Sequence, residues 1–334
     1  MTRALRFAVS RLALALGCIA AIACTDQTGG ATPSGPVLPS DDAGTEASTA
    51  SEGGVSRRPG VIRVATFNVR RFFDTVCDSS KCQSGDFEEA PSQASFDTKV
   101  DALAKGIALL DPDVIALEEV ETSRCLDALI AKLASLGKEF PIANLGEIGG
   151  FGSIDVAILA RGSLTEIKKH RNTPIKQADG STTTFSRELL EVRMTFGATA
   201  VVMFAAHFRS QVSDDPARRL AEAKATQTIM TSTATELPNA LVLLGGDLND
   251  RPGSAAIDAL EAGGALLRVA KDIPVDDQGT YIFNGVKNAI DHIFVASGQA
   301  TRYLAKSTTA YRDDPRGGFA SSDHAALAAD FSVE

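Results

Sequence analysis

Apolar residues fall along this chain either in short continuous runs or in helical stripes, and the two kinds of segment alternate through its first half. Residues 61–69 (VIRVATFNV) are rich in β-branched side chains and predict a strand. After a polar loop with Gly85 and Pro91, Phe96, Val100, Leu103, Ile107 and Leu110 recur at spacings of 4, 3, 4 and 3. That is the stripe of an amphipathic helix, ended by Asp111-Pro112-Asp113. Residues 114–117 predict a short buried strand, and Leu126, Leu129, Ile130 and Leu133 mark a second helix closing near Gly137. Strands are expected at 154–160, 189–196 and 200–206. Pro216 opens a helix to about Thr233, residues 241–244 form a wholly apolar strand, and Ser254 caps a short helix that stops at Gly263-Gly264. Strands at 289–296 and 325–331 complete the series. The expected fold is α/β (α+β), with two sheets packed face to face and helices outside. With no short-period repeat and no second linker, residues 61–334 are read as one domain.

The first sixty residues read differently. Arg3, Arg6 and Arg11 precede an apolar run of twelve residues, too short to span a bilayer. Residues 1–23 are therefore expected to be an export signal. Ala21-Ile22-Ala23-Cys24 resembles the lipobox of bacterial lipoproteins, in which the cysteine is lipidated; an ordinary cleaved signal is the alternative. Residues 24–60 are mostly Gly, Ser, Thr, Pro, Ala and Asp, and are expected to form a flexible tether. These features point to the bacterial cell envelope or the extracellular space, with a membrane anchor on Cys24. In an oxidising compartment two of Cys77, Cys82 and Cys125 should pair; Cys77 with Cys82 is feasible, and Cys125 competes for either.

Charge and composition narrow the chemistry. The chain carries a formal −9, lacks Trp and has no long basic tract. Clamping a polyanion by surface charge alone is therefore excluded, as is a platform of stacked aromatics. A phosphate-bearing substrate would have to be held through a bound cation, or held loosely.

The apolar strands end repeatedly in polar residues. Thr66-Phe67-Asn68-Val69-Arg70 closes the first, Leu117-Glu118-Glu119-Val120 the second, and Ala206-His207-Phe208-Arg209-Ser210 follows another. Gly246-Asp247-Leu248-Asn249 follows the most apolar strand, Ile290-Asp291-His292-Ile293-Phe294 opens one, and Ser322-Asp323-His324 precedes the last. Ligands gather where strand ends and loops converge, and this set suits a hard, oxygen-ligated cation and a phosphate. The glycines beside Asp247 imply close backbone approach.

In order and spacing this series resembles the endonuclease/exonuclease/phosphatase superfamily, across essentially all of residues 61–334. The resemblance implies a four-layer sandwich with two mixed sheets, an active site at one rim, and divalent-metal catalysis, with Mg²⁺ or Mn²⁺ expected. It also implies roles. Glu119, Asn68 and Asp323 would serve the metal. Asp247 and Asn249 would position nucleophile and phosphate. His207 would contact the phosphate or assist the leaving group, and His324, oriented by Asp291, would act on the attacking water as a neutral imidazole. Arg70, Arg187 and Arg209 are candidate substrate contacts; a surface ion pair is the alternative for Arg187, and pairing with surplus acids for the other two. Glu118 and Glu121 depart from the family pattern and are expected to place extra negative charge beside the site. His292, next to Asp291 on a strand, should point to the opposite face. His170, in Lys168-Lys169-His170-Arg171, reads as part of a solvated basic patch.

The leading expectation is a phosphodiester hydrolase, a nuclease acting on DNA or RNA outside the cytoplasm. A phosphatase or sphingomyelinase-like phosphodiesterase is the enzymatic alternative. A surface-anchored binding module with an inactive site is the non-enzymatic one. No protein partner is inferred, and a monomer is expected.

Overall fold

A computed structural model describes residues 59–150, 152–212 and 214–334. The expected signal, Cys24 and nearly all of the expected tether lie outside the described residues. Two six-stranded sheets form the centre. In spatial order the first contains Thr309–Tyr311, Ala326–Ser332, Val61–Phe72, Val114–Val120, Asp155–Ala160 and Ile142–Leu145. The second contains Leu266–Arg268, Asp291–Ala296, Leu241–Asp247, Thr199–His207, Leu190–Phe196 and Ser163–Lys169. Both are mixed: Val61–Phe72 pairs parallel with Val114–Val120, Leu241–Asp247 pairs parallel with Thr199–His207, and the outer pairings are antiparallel.

Three apolar layers follow from the period of two along each strand. Ile62, Val64, Val114 and Ala116 of the first sheet meet Val201, Met203, Leu241 and Leu243 of the second in the layer between the sheets. The alternate residues Ala65, Phe67, Ile115 and Leu117 pack against helices α1 (Gln93–Leu110) and α2 (Ser123–Ser135). Val202, Phe204, Val242 and Leu244 pack against α3 (Pro216–Glu236) and α4 (Ala255–Glu261). The expected four-layer sandwich is the observed one. Caps fix where each helix begins: the side chains of Ser92, Thr122, Asp215 and Ser254 accept hydrogen bonds from Ser95, Cys125, Arg218 and Ile257 amides.

Four strands of the two main sheets escape the sequence patterns. Ser163–Lys169 is a largely exposed, charged edge strand, while Ile142–Leu145, Leu266–Arg268 and Thr309–Tyr311 are only four, three and three residues long. Cys77 pairs with Cys82, and Cys125 is a buried thiol donating to the Phe72 carbonyl at 3.1 Å.

Candidate active site

The layer between the sheets is apolar over most of its length and turns polar at one end. Following each inward-facing row outwards, Ile62 and Val64 give way to Thr66 and Asn68, and Val114 and Ala116 to Glu118. On the second sheet Val201 and Met203 lead to His207, Leu241 and Leu243 to Gly245 and Asp247, and Val295 and Ile293 to Asp291. The same alternation that builds the core therefore delivers these polar groups to the same end of the layer, with Glu118 fully buried there. Gly245 is needed because a Cβ there would meet Met203 Cε at 2.7 Å and Thr66 Cβ at 3.2 Å. Gly246 is tighter still, since its Cβ would fall 1.9 Å from the Ala206 carbonyl oxygen.

His207, Asp247 and Asp291 form one cross-strand row, with Asp247 the register partner of both neighbours. Two carboxylates side by side repel, and burial makes the repulsion costlier. His324 relieves it: its Nδ1–H donates to Asp291 Oδ2 at 2.9 Å, and its ring lies 4.9 Å from that of Tyr281. Burial alone would lower the His324 pKa, but Asp291, Asp247 and Asp323 outweigh it and push it up to about 10. Burial and the Asp291 charge push Asp247 up to about 7. The shift favours the imidazolium, which balances the neighbouring carboxylates, over the expected neutral imidazole. His207 is the opposite case. Burial, Arg187 and His324 hold its pKa well below the usual histidine value, and its Nε2 lies 3.7 Å from Asp247, too far for a hydrogen bond.

Across the gap Asn68 ties the two sheets together. Its Nδ2 donates to Asp247 Oδ2 at 2.9 Å and to Glu119 Oε1 at 3.2 Å, and its Oδ1 accepts from the Arg70 amide at 2.9 Å. Asn68 therefore positions the two acids, and its Oδ1, which accepts a single hydrogen bond, keeps a lone pair for the expected cation. Strict alternation would send Glu119 to the α1 side. A break in register after Asn68 and Glu118, with positive φ at Glu119 (67°), Arg70 (51°) and Arg71 (46°), carries it to the rim instead. There Glu119 Oε2 accepts from the Arg71 amide at 2.7 Å.

Glu119 and Asp323 fit a hard divalent cation. Each Glu119 oxygen uses one hydrogen bond and retains further lone-pair capacity, and Asp323 Oδ1 is buried with no hydrogen-bond partner among the described residues. Asp323 also lies 3.4 Å from Arg70 Nε. Ligand atoms of Asp247, Asp291 and His324 come within 4.8 Å of one another, so carboxylates line both sides of the rim.

The remaining expected residues fall nearby. The Asn249 amide donates to Asp247 Oδ1 at 2.9 Å and its Nδ2 to the Phe208 carbonyl at 3.1 Å. Arg187 is not a surface ion pair: partly buried, it donates to the same Phe208 carbonyl at 3.2 Å and is attracted by Glu119 and Asp247. Arg209 follows His207, its amide donating to Glu222 Oε2 at 2.8 Å. His292 does face away, its Nε2 meeting the Asp250 carbonyl at 2.9 Å.

Two expectations fail on burial. Glu118 and Glu121 do not add charge beside the site. Glu118 is fully buried, accepts from Thr66 Oγ1 at 2.9 Å, and burial followed by the Asp291 charge raises its pKa well above the carboxylate range. Burial takes Glu121 to about 8, even against the hydrogen bond from the Asp74 amide. His170 is not solvated either, because its Nε2 is 2.8 Å from the buried Glu191.

Sequence reasoning missed Lys99, Ser322 and Thr280. Lys99 Nζ donates to the Ser321 carbonyl at 2.7 Å, Ser322 Oγ bridges the Asn68 carbonyl and the His324 amide, and Thr280 Oγ1 accepts from the Asp291 amide at 3.1 Å. Ser322 stands within a quoted motif, whereas nothing in the sequence marks Lys99 or Thr280.

Solved structures share this fold. Truncated Caenorhabditis elegans TDP2 is 18% identical with a TM-score of 0.57, covering 81% of this chain and 97% of that one. D. rerio TDP2 complexed with single-strand DNA product is 17% identical at 0.54, covering 81% and 99%. The human Nocturnin catalytic domain with bound sulfate is 14% identical at 0.55, covering 82% and 95%. No curated protein sequence matches the chain. The model of the Endonuclease/Exonuclease/phosphatase family matches residues 63–319, and the chain belongs to that family, whose enzymes are divalent-metal-dependent phosphoesterases.

Proposed function

We propose that the protein is a Mg²⁺-dependent nuclease that hydrolyses phosphodiester bonds of DNA or RNA. The observation that carries this reading is the convergence of His324–Asp291, Asp247 and His207 with Glu119 across one narrow rim. A phosphodiester needs in-line attack by water, neutralisation of the non-bridging oxygens and help for the leaving alkoxide. Glu119 and Asp323 would hold a divalent cation, which would supply charge neutralisation there. Asp247 and Asn249 position the nucleophile and the phosphate. His207, a neutral imidazole, hydrogen-bonds the phosphate. His324, with Nδ1 engaged by Asp291, has Nε2 left to hold or move a proton in the site. Arg70 and Arg187 flank these groups as phosphate contacts, with Arg209 beside Arg187.

Burial of Glu118 and Glu121, with both pKa values raised, lessens the negative charge that a polyanionic substrate would meet. The D. rerio TDP2 structure, of the same fold, carries a single-strand DNA product. The assay supplies Mg²⁺ and matched amounts of plasmid DNA, RNA, sphingomyelin and inositol phosphate. Nicking of plasmid or shortening of RNA is expected. Release of phosphocholine or inorganic phosphate without any nucleic-acid cleavage would overturn the reading.

We also propose that the enzyme works in the bacterial envelope, anchored through lipid on Cys24. Cys24→Ser should release it from the membrane fraction or block its processing, and unchanged fractionation would refute the anchor.

A further inference from the structure

Beside the rim, α1 and the turn at Arg70-Arg71 border an open cavity of about 300 Å³. Arg70, Arg71 and Lys99 line it together with Ser321 and the side chains of Phe73 and Phe96; Glu89 is its one acid. The three cations are not equivalent. Arg71 is engaged, pairing with Glu89 at 2.9 Å and donating to the Phe87 carbonyl. Arg70 makes one side-chain ion pair among the described residues, Nε to Asp323 at 3.4 Å, which leaves its terminal N–H groups as available donors. Lys99 Nζ spends one of three donors on the Ser321 carbonyl, at 2.7 Å, and has no acidic partner within ion-pair distance among the described residues. Two incompletely satisfied cations thus face one concavity in a protein whose net charge is −9. Burial and the like charge of Arg70 lower Lys99 to about 8, against the pull of Asp323 and Glu119.

We propose that this cavity is a subsite for a second phosphate group of the substrate, bound between Arg70 and Lys99 next to the scissile phosphate. Arg70 connects the two positions, since it lines the cavity and touches Asp323 of the candidate cation site. A guanidinium fork and an ammonium supply complementary donors to phosphate oxygens, and the apolar floor of Phe73 and Phe96 provides no competing acceptor. The second phosphate has two possible sources, a terminal phosphate monoester or the adjoining diester of a polynucleotide. The inference deepens the nuclease reading and rests on it for the scissile bond.

The experiment uses the full chain with Mg²⁺ and three chromogenic or fluorogenic diesters of matched leaving group. The first has one phosphate, the second adds a terminal phosphate monoester, and the third adds an adjoining phosphodiester. Lys99→Met and Lys99→Arg are compared with the unaltered protein. Expected is a preference of about tenfold in kcat/KM for the second or third substrate over the first. Lys99→Met should abolish that preference and Lys99→Arg should restore it. Whichever of the two additions is preferred identifies the source. Equal activity on all three substrates, or an equal loss on all three in Lys99→Met, overturns the subsite and leaves Lys99 as a support for the Ser321 loop. Preference for the second substrate, with plasmid and RNA uncut, keeps the subsite while rejecting the nuclease reading.

Discussion

On the first sheet the candidate site is built from broken backbone. Arg70, Arg71 and Glu119 have positive φ, the register shifts, and the half-buried acids Glu119 and Asp323 keep unused lone-pair capacity. On the second sheet it is built from regular strand. His207, Asp247 and Asp291 follow the ladder residue by residue, are buried, and have their charge balanced by His324. The first wall suits a group that arrives from outside, and the second suits chemistry that must already be oriented. A cation can exchange at an open, oxygen-rich edge, whereas a proton-handling imidazole works only if its partner is fixed.

The comparison breaks most visibly on removal of metal. Turnover should vanish in excess chelator and return with Mg²⁺; full activity in chelator would deprive the first wall of its assigned role. One step smaller, Glu119→Gln and His324→Asn should each lower kcat by at least about 100-fold with the circular dichroism spectrum unchanged. A correctly folded variant within a few-fold of the parent would remove that residue from the chemistry.

The second wall predicts a pH effect on stability in the cation-free protein. Asp247, raised to about 7, and His324, raised to about 10, both bind protons more tightly folded than unfolded. The stabilisation from Asp247 is complete below about pH 4 and lost as pH rises through about 7; that from His324 is complete below about 6.5 and lost through about 10. Thermal melts in chelator should show Tm falling across this whole range, and His324→Asn should flatten the alkaline half. A Tm that rises between pH 7 and 10 would contradict the counter-ion role. The smallest effect belongs to Glu118→Gln. An amide mimics a protonated carboxyl, so activity should stay within about threefold and stability within about 1 kcal/mol. A loss as large as that of Glu119→Gln would mean that Glu118 is ionised in the working enzyme.

The sandwich was legible because its central strands, buried on both faces, are continuous apolar or β-branched runs and its helices carry clear stripes, from Phe96 to Leu110 above all. The rim was legible as a set of residues, since each motif sits where an apolar strand ends. Its electrostatics were not. Glu118 and Glu119 are adjacent identical letters, and only a backbone break sends one into the core and the other to the rim. Lys99 was hidden because its contribution depends on a loop more than two hundred residues away in the chain, at Ser321. Ser163–Lys169 was missed because an edge strand needs no apolar face.

Arg70, Arg71, Glu119 and Asn249 all hold left-handed backbone at the candidate site, with φ between 46° and 67°. For side chains other than Asn that conformation costs about 1–2 kcal/mol per residue, and glycine would largely avoid the cost. Robustness to heat and catalytic competence therefore pull these positions in opposite directions. An engineer ranking variants by melting temperature alone would be led toward glycine at Arg71 and Glu119, and would collect sturdier proteins stripped of the carboxylate that Glu119 brings to the rim.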